Sequence, residues 1–247
     1  MVKALGIANG QSSMSPEEKK IPAKDALLIA AEKLFTEKGY GAVSTRELAD
    51  EAGVNLGAIQ YHFGSKEQLF VDTIRRLMSS RCSANQILLQ SSEPGSREAA
   101  IKQLATFFDS FIQDICNPCG PNVCKLMYRE VLDSSSTESA MFEILVSSVV
   151  NEFIRPVDEH LQKIVKLLRP NAESTEVDFI IHSIIGQCSF YLTHRPFVER
   201  LRNRAFTDSS KYTEVSYHIL QFTLRGLGVS EAEICQSLDN SSRPVVI

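Results

Sequence analysis

The stretch GVNLGAIQYHFGSK, residues 53–66, contains no carboxylate, although the chain has 30 acidic and 26 basic residues. Within seven positions it places a glutamine, a tyrosine, a histidine and a lysine. Side chains of these types form hydrogen bonds with phosphates and with the edges of bases. Because no negative charge would repel a polyanion, this stretch is the first candidate for a nucleic-acid contact.

The surrounding pattern predicts the helices that would position this stretch. A capping box at residues 44–47 starts a short second helix, which Gly53 ends. Asn55 is expected to cap a third short helix, and a second capping box at residues 65–68 opens a longer fourth helix. A first helix is indicated by apolar residues with helical spacing at Leu27, Ala30, Ala31, Leu34 and Phe35.

Two short helices joined by a tight glycine turn, with a helix before them, are typical of a helix-turn-helix motif. The second helix of that motif enters the major groove of DNA. In the third helix, Ile59 and Phe63 are expected to face inward, whereas Ala58, Tyr61 and His62 are expected to face outward. Outside such a motif, Tyr61 and His62 would be ordinary half-exposed side chains; within it they are candidate DNA contacts.

Two basic residues flank the third helix. Arg46 lies at the start of the second helix, where its guanidinium could reach a phosphate or a guanine edge. Lys66 lies on the first turn of the fourth helix, where backbone N–H groups also favour an anion. Both residues are therefore added to the candidate DNA contacts.

Residues 27–70 closely resemble the DNA-binding domain of the tetracycline-repressor (TetR) family, through the motifs AAxxLFxxxGY, STRELAxxAGV, YHF and SKExL in that order. The resemblance implies an all-helical homodimer that represses transcription and is released by a small ligand. Gln60 stands where the family often has tyrosine, and it is kept as a candidate contact. The resemblance implies DNA contacts by residues matching Arg46, Asn55, Leu56, Gly57, Ala58, Tyr61, His62 and Lys66.

The pattern stays helical beyond SSEPGS at residues 91–96, and no convincing strand is found. Pro156 is expected to kink or split one long helix, and a short helical turn is expected after Pro196. The segments KLMYREVLDSS, FIRPV and IIGQCSFYLTHRP resemble the ligand domain of YbiH-like regulators. Helices are predicted near residues 97–115, 122–133, 138–168, 174–194 and 209–226.

The predicted fold class is all-α, with a three-helix N-terminal DNA-binding domain and a C-terminal helical domain for ligand binding and dimerisation. In the TetR family the last two long helices usually form a four-helix bundle with those of a second copy, which here implies 174–194 and 209–226. The predicted divisions are a polar tail at 1–20, the DNA-binding domain at 21–70, the C-terminal domain at 71–230 and a second tail at 231–247.

An effector pocket among the C-terminal helices is implied by the family resemblance. Aromatic residues at helical spacing are more often core than ligand contacts, so both interpretations stay open. Arg129 and Glu130 form either a buried ion pair or a solvated face, and the polar groups of the most apolar helix need partners. The candidate ligand residues are Phe107, Phe111, Met127, Arg129, His182 and Gln187.

Cysteines are concentrated in the loop CNPCGPNVC, which contains Cys116, Cys119 and Cys124. A CxxC pair can be half of a metal site or a redox pair, but a complete zinc site needs four ligands and no fourth follows at close spacing. No cofactor or metal is therefore predicted. The alternative function that these residues leave open is a DNA-binding redox or metal sensor.

Other classes of protein are disfavoured by composition. The net charge of −4, with eight basic and eight acidic residues in 21–81, argues against general polyanion binding, so specificity must come from arrangement. No apolar run is long enough to span a bilayer and no secretory signal is recognised, which favours a cytoplasmic location. A thiol-dependent enzyme is disfavoured because no βαβ pattern accompanies the CxxC, and no hydrolase or phosphate-binding motif is found.

The sequence thus predicts a DNA-binding transcriptional regulator that is not an enzyme. Its expected partners are a palindromic operator in double-stranded DNA, a small-molecule effector of unknown identity and a second copy of the chain.

Overall fold

The computed structural model describes residues 21–81, 83–116, 123–132, 140–203 and 209–238. Every regular element within these ranges is a helix, which confirms the all-α prediction. The N-terminal helices are α1 (Ala23–Lys38), α2 (Thr45–Ala52), α3 (Gly57–Phe63), α4 (Lys66–Arg81) and α5 (Ser83–Gln90). The remaining helices are α6 (Arg97–Cys116), α7 (Val123–Leu132), α8 (Ala140–Val149), α9 (Arg155–Leu168), α10 (Ser174–Arg202), α11 (Ser209–Gly226) and α12 (Glu231–Ser237).

The two predicted capping boxes form only in part. Ser44 Oγ accepts a hydrogen bond from the Glu47 N–H at 3.1 Å, but the Glu47 carboxylate pairs with Lys38 at 2.5 Å instead of returning to Ser44. Ser65 Oγ likewise accepts from the Gln68 N–H at 3.1 Å, while the Gln68 side chain bonds further along α4. One half of each box is sufficient to start α2 and α4.

The start of α3 differs from the prediction that Asn55 caps it. Leu56 precedes the helix with φ −57° and ψ −34°, which is already helical, and no side chain caps the helix. Asn55 instead contributes its carbonyl oxygen, which accepts from the Ala58 N–H at 3.0 Å.

The turn between α2 and α3 depends on Gly53, which has φ 66° and ψ 32°. Its N–H bonds to the carbonyls of Ala49 and Asp50, and this closes α2. A residue with a side chain adopts this left-handed conformation at a cost of about 1–2 kcal/mol. The turn that separates the two helices of the motif is therefore specified by a glycine.

Replacement of Gly53 by alanine should lower the free energy of unfolding by about 1 kcal/mol. A Cβ at this position meets nothing within 4 Å, so the cost comes from backbone strain alone. Gly41→Ala is the matched control, because Gly41 also has open space but no positive φ. Urea unfolding measures both variants, and equal midpoints would contradict the prediction.

The buried side chains form two cores. The first joins α1–α4 with α7 and α8 and is centred on Phe35 and Phe70, whose rings meet edge to face at 4.9 Å. The second joins α5, α6 and α9–α12 and contains Phe107 and Phe108. The apolar faces of α7 and α8 are thus buried with the DNA-binding helices, although they lie far along the chain.

The long segment predicted at 138–168 is split, as Pro156 predicted. A π turn, Val150–Ile154, separates α8 from α9, and the Arg155 N–H bonds back to the Val150 carbonyl. Pro156 has no N–H to continue an α-helical ladder, and wide single turns are one way in which helices accommodate such a break.

The helix predicted at 174–194 is longer than expected. Pro196 lies inside α10, which continues to Arg202 and ends at Asn203 in the left-handed conformation. The helical turn predicted after Pro196 is therefore part of this helix. None of the described helices is long and apolar enough to cross a membrane.

Candidate nucleic-acid interface

The helix α3 is anchored by its inner face. Ile59 and Phe63 are buried, at 3% and 6% exposure, as their spacing predicted. Val54 and Ala58 are partly buried and pack against the same core. The prediction that Ala58 faces outward is therefore met only in part, because Ala58 both lines the outer recess and packs inward. This packing fixes the rotation of α3 about its axis and thereby determines which side chains face outward.

The outer face of α3 carries Gln60, Tyr61 and His62. The Tyr61 side chain is 84% exposed, which is exceptional for a large aromatic residue, and Gln60 is exposed beside it. The rings of Tyr61 and His62 meet edge to face, with centroids 4.8 Å apart and planes at 81°. The structure therefore places the phenol at the centre of the outward surface, with the imidazole against it on one flank and the carboxamide on the other.

The N-terminal end of α3 is also accessible. Asn55, Leu56 and Gly57 are exposed, and the Leu56 side chain is 55% exposed. A Cβ on Gly57 would lie 3.3 Å from Asn55 Oδ1, so the glycine lets the Asn55 side chain fold over the start of the helix. In helix-turn-helix proteins the first residues of the second helix are those that contact base edges.

Residues at and just before the start of α1 extend this surface, and sequence reasoning missed them. Ile21, Ala23 and Ala26 line a recess together with the glycine turn and the outer face of α3. Ala23 and Ala26 are small residues one turn apart, which is a recognisable signal. The two alanines can be recognised as part of the surface only once α1 is known to pack beside α3, and local periodicity does not reveal that packing.

The carboxylates next to this surface are engaged by neighbouring basic groups. Glu51 bonds to Lys33 at 2.7 Å, and Asp50 lies 4.0 Å from the Arg46 guanidinium. The Arg46 side chain remains 87% exposed, so it is accessible to an incoming phosphate. The surface thus combines exposed donors with carboxylates whose charge is offset locally.

Lys66 lies in a different position from the other candidate contacts. Its ammonium donates a hydrogen bond to the Tyr40 carbonyl at 2.8 Å and lies 4.0 Å from the centroid of the Tyr40 ring. Burial lowers the pKa of Lys66, while the Glu67 and Glu130 carboxylates act in the opposite direction. Lys66 therefore joins the turn after α1 to the start of α4.

The six candidate ligand residues are divided between the two cores and the surface. Phe107 and Phe111 are neighbours in the second core, with centroids 5.4 Å apart, whereas Met127 packs against the first core. Arg129 donates to the Phe35 carbonyl at 2.5 Å.

The two polar candidates of α10 lie toward solvent. His182 is exposed, and Gln187 is half-buried with its amide nitrogen 3.3 Å from the Ser183 carbonyl. The described side chains therefore do not converge on one enclosed pocket.

The cysteine loop lies largely beyond the described residues. Cys119 and the side chains of Cys116 and Cys124 are outside them. Among the side chains that are described, no three histidine, cysteine or acidic residues are grouped as a metal site.

Two family models match the chain. The model described as bacterial regulatory proteins of the tetR family matches residues 27–73. The model described as the C-terminal domain of the HTH-type transcriptional dual regulator CecR matches residues 100–227, which is more than half of the chain. The first match covers the helix-turn-helix, and the second covers α7–α11 in full and most of α6.

Individual relatives agree with these matches. The HTH-type transcriptional dual regulator CecR of Shigella flexneri is 28% identical over 172 residues, which cover 67% of this chain and 73% of that protein. The HTH-type transcriptional repressor KstR2 of Mycolicibacterium smegmatis is 38% identical over 64 residues, which cover 25% of this chain and 31% of that protein.

Solved structures show the same fold. The fatty acid degradation regulator FadR from Bacillus halodurans has a TM-score of 0.58 at 17% identity, covering 85% of this chain and 98% of that one. AmtR of Mycobacterium smegmatis has a TM-score of 0.52 at 19% identity, covering 90% and 95%. At these identities the likeness concerns the fold and not the ligand.

Proposed function

Because the chain belongs to the tetR family of DNA-binding transcriptional regulators, we propose that it is a homodimeric repressor that a small-molecule effector releases from a palindromic operator. The observation that carries the proposal is the outer surface of α3, where the exposed Tyr61 ring contacts that of His62. The exposed Arg46 at the start of α2 adds a cation. This surface has the donors that phosphate and base recognition needs.

The proposed DNA contacts fall into two groups. Tyr61, His62 and Gln60 lie where they can meet base edges or the adjacent backbone, and Arg46 lies where it can meet a phosphate. Lys66 keeps two further ammonium N–H groups while it bonds to Tyr40, so it can add a phosphate contact. The full set is Arg46, Asn55, Leu56, Gly57, Ala58, Gln60, Tyr61, His62 and Lys66.

The proposed dimer forms through α10 and α11. Successive intervals of 11, 7 and 4 residues place the exposed side chains of α10 on one face of the helix. A row of large exposed apolar side chains of this kind favours a protein–protein contact in soluble proteins. Its members are Phe179, Phe190, Phe197 and Leu201, and Phe222 is an exposed aromatic residue of α11.

The proposed effector acts by changing the separation of the two α3 helices. Two half-sites in successive major grooves lie about 34–36 Å apart, and a dimer held at another separation fits them poorly. An effector lowers operator affinity only by as much as it prefers the poorly fitting state. Its candidate contacts are Phe107, Phe111, Met127, Arg129, His182 and Gln187; because they do not share one pocket in this structure, a single effector would touch a subset of them. We also assign the C-terminal domain to the YbiH-like subgroup.

The test is selection of DNA fragments from a random library by the purified full-length protein. We expect enrichment of an inverted repeat, and we expect its affinity to fall steeply with salt because phosphate contacts release counterions. Retention of a folded dimer that enriches no sequence from any library would overturn the proposal. The selected operator then serves as the probe for effector screening.

A further inference from the structure

The first core extends well beyond the family's DNA-binding segment. Buried side chains of α7 and α8 complete it, packed with those of α1 and α4: they are Val123, Leu126, Leu145 and Val149. The helices α5, α6 and α9–α12 bury their apolar faces in the second core. Packing therefore groups α7 and α8 with the helices that present α3.

A pair of charged residues on α7 holds the turn that follows α1. The Glu130 side chain is buried, at 4% exposure, and accepts a hydrogen bond from the Tyr40 N–H at 3.0 Å. Arg129 donates from Nη2 to the Phe35 carbonyl at 2.5 Å, at the C-terminal end of α1, where a cation is favoured. We call Arg129 and Glu130 the α7 clamp.

The fit of the clamp depends on Gly39. A Cβ on this residue would lie 3.0 Å from Arg129 Nε and 3.2 Å from Cζ, so only glycine admits the guanidinium this closely. Gly39 also has φ 85°, a conformation that residues with side chains rarely adopt. One glycine thus ends α1 and opens the space that the guanidinium fills.

Tyr40 connects the α7 clamp to α4. The Tyr40 hydroxyl donates to Glu67 Oε1 at 2.7 Å, and Lys66 donates to the Tyr40 carbonyl at 2.8 Å. Burial raises the pKa of the Tyr40 hydroxyl, so it stays protonated and keeps donating. Because α4 begins three residues after α3 ends, a change at Tyr40 acts on α3 through its C-terminal end.

A second set of contacts joins the C-terminal half of α4 to α8 and to the π turn that follows it. Arg75 Nε lies 3.0 and 2.9 Å from the two carboxylate oxygens of Glu152, and Arg75 Nη2 lies 3.1 Å from Ser148 Oγ. Glu152 belongs to the π turn that connects α8 to the second core. The boundary between the helices of the first core and those of the second core therefore coincides with an irregular turn, where helices commonly bend.

From these contacts we infer that α1–α4, α7 and α8 move as one DNA-reading body, in which the α7 clamp is the positioning element that sets the direction of α3. The inference rests on the proposed function for its regulatory meaning, since an effector then alters DNA affinity by acting on α7. The clamp itself is a property of the fold and is testable without DNA.

The test compares Arg129→Met with Arg97→Met. Arg97 is a matched control in the second core: it donates to Glu233 at 2.9 Å and to the Leu168 carbonyl at 2.7 Å, and its side chain is 38% exposed against 41% for Arg129. The first readout is amide hydrogen exchange of the free protein. Arg129→Met should accelerate exchange about tenfold in α2, α3 and the turn after α1, since a charge-assisted bond is lost, and Arg97→Met should leave these segments unchanged.

The second readout is selection from operators whose half-site spacing varies. Arg129→Met should lower affinity for the preferred spacing about tenfold and accept neighbouring spacings, whereas Arg97→Met should keep the wild-type preference. Glu130→Gln retains an oxygen that accepts from Tyr40 and should behave nearly as wild type, whereas Glu130→Met should resemble Arg129→Met.

The two readouts separate the inference from the proposed function. Equal exchange profiles for Arg129→Met and Arg97→Met would overturn the clamp. Accelerated exchange confined to the DNA-reading body, in a protein that selects no operator, would support the clamp and count against the repressor proposal.

Discussion

Replacement of both Tyr61 and His62 by alanine is expected to lower operator affinity at least about 30-fold, since each lost base contact costs about 1–3 kcal/mol. Tyr61 is 84% exposed and contributes little to the first core, so the free energy of unfolding should change little. The rings contact each other at 4.8 Å, so the two losses should not be independent. Fluorescence anisotropy with the selected operator measures the effect, at one fixed salt concentration.

The control for this prediction is Ile29→Ala, which removes an exposed apolar side chain from α1 instead of α3. It should bind the operator like the wild type. The individual variants Tyr61→Ala and His62→Ala complete a double-mutant cycle, from which the coupling between the two rings follows. A double variant that binds within threefold of the wild type would remove these residues from the proposed interface.

Glutamate at both Phe179 and Phe197 is expected to raise the dissociation constant of the dimer at least about 100-fold. The two positions are 18 residues apart, so they share a face of α10 and lie about 27 Å apart along it. Each buried carboxylate without a partner costs about 1–3 kcal/mol or more, and the two-fold symmetry doubles every loss. Sedimentation velocity over a range of concentrations measures the shift.

Operator affinity should fall in parallel, because a monomer offers one α3 helix to a two-fold site. Leu89→Glu is the matched control: it places the same charge at an exposed apolar residue of α5, at 44% exposure, outside α10 and α11. A doubly substituted protein that stays dimeric at micromolar concentration would show that the apolar face of α10 serves another partner.

Local sequence signals predicted the helix-turn-helix because the determinants are themselves local. Ser44, Ser65 and Gly53 act on backbone groups within a few residues, and the inward positions of Ile59 and Phe63 follow from helical spacing. The Asn55 cap was wrong in its side-chain part only: the Asn55 carbonyl accepts from the Ala58 N–H, but no side chain caps α3.

Long-range packing was not predictable in the same way. The sequence left open whether Arg129 and Glu130 form a buried pair or a solvated face. The structure shows an ion pair, with Arg129 Nε 3.7 Å from Glu130 Oε1. Glu130 is buried against the Tyr40 N–H, 90 residues earlier, while Arg129 is partly exposed. The short helix α5 was also missed, since its eight residues are too few to show helical periodicity and, unlike α2 and α3, it is not marked by a glycine turn such as that at Gly53.

The sharing of the first core between distant parts of the chain constrains how such proteins recombine in evolution. A crossover after α4 that exchanged only residues 21–81 would replace the surface against which Val123 and Leu126 are buried. In the hybrid, α7 and α8 would pack against side chains of a different protein. The cavities left in the core would lower the free energy of unfolding by several kcal/mol. Viable chimeras should therefore exchange α1–α4 together with compensating substitutions on α7 and α8, so the heritable unit of DNA specificity is discontinuous in the gene.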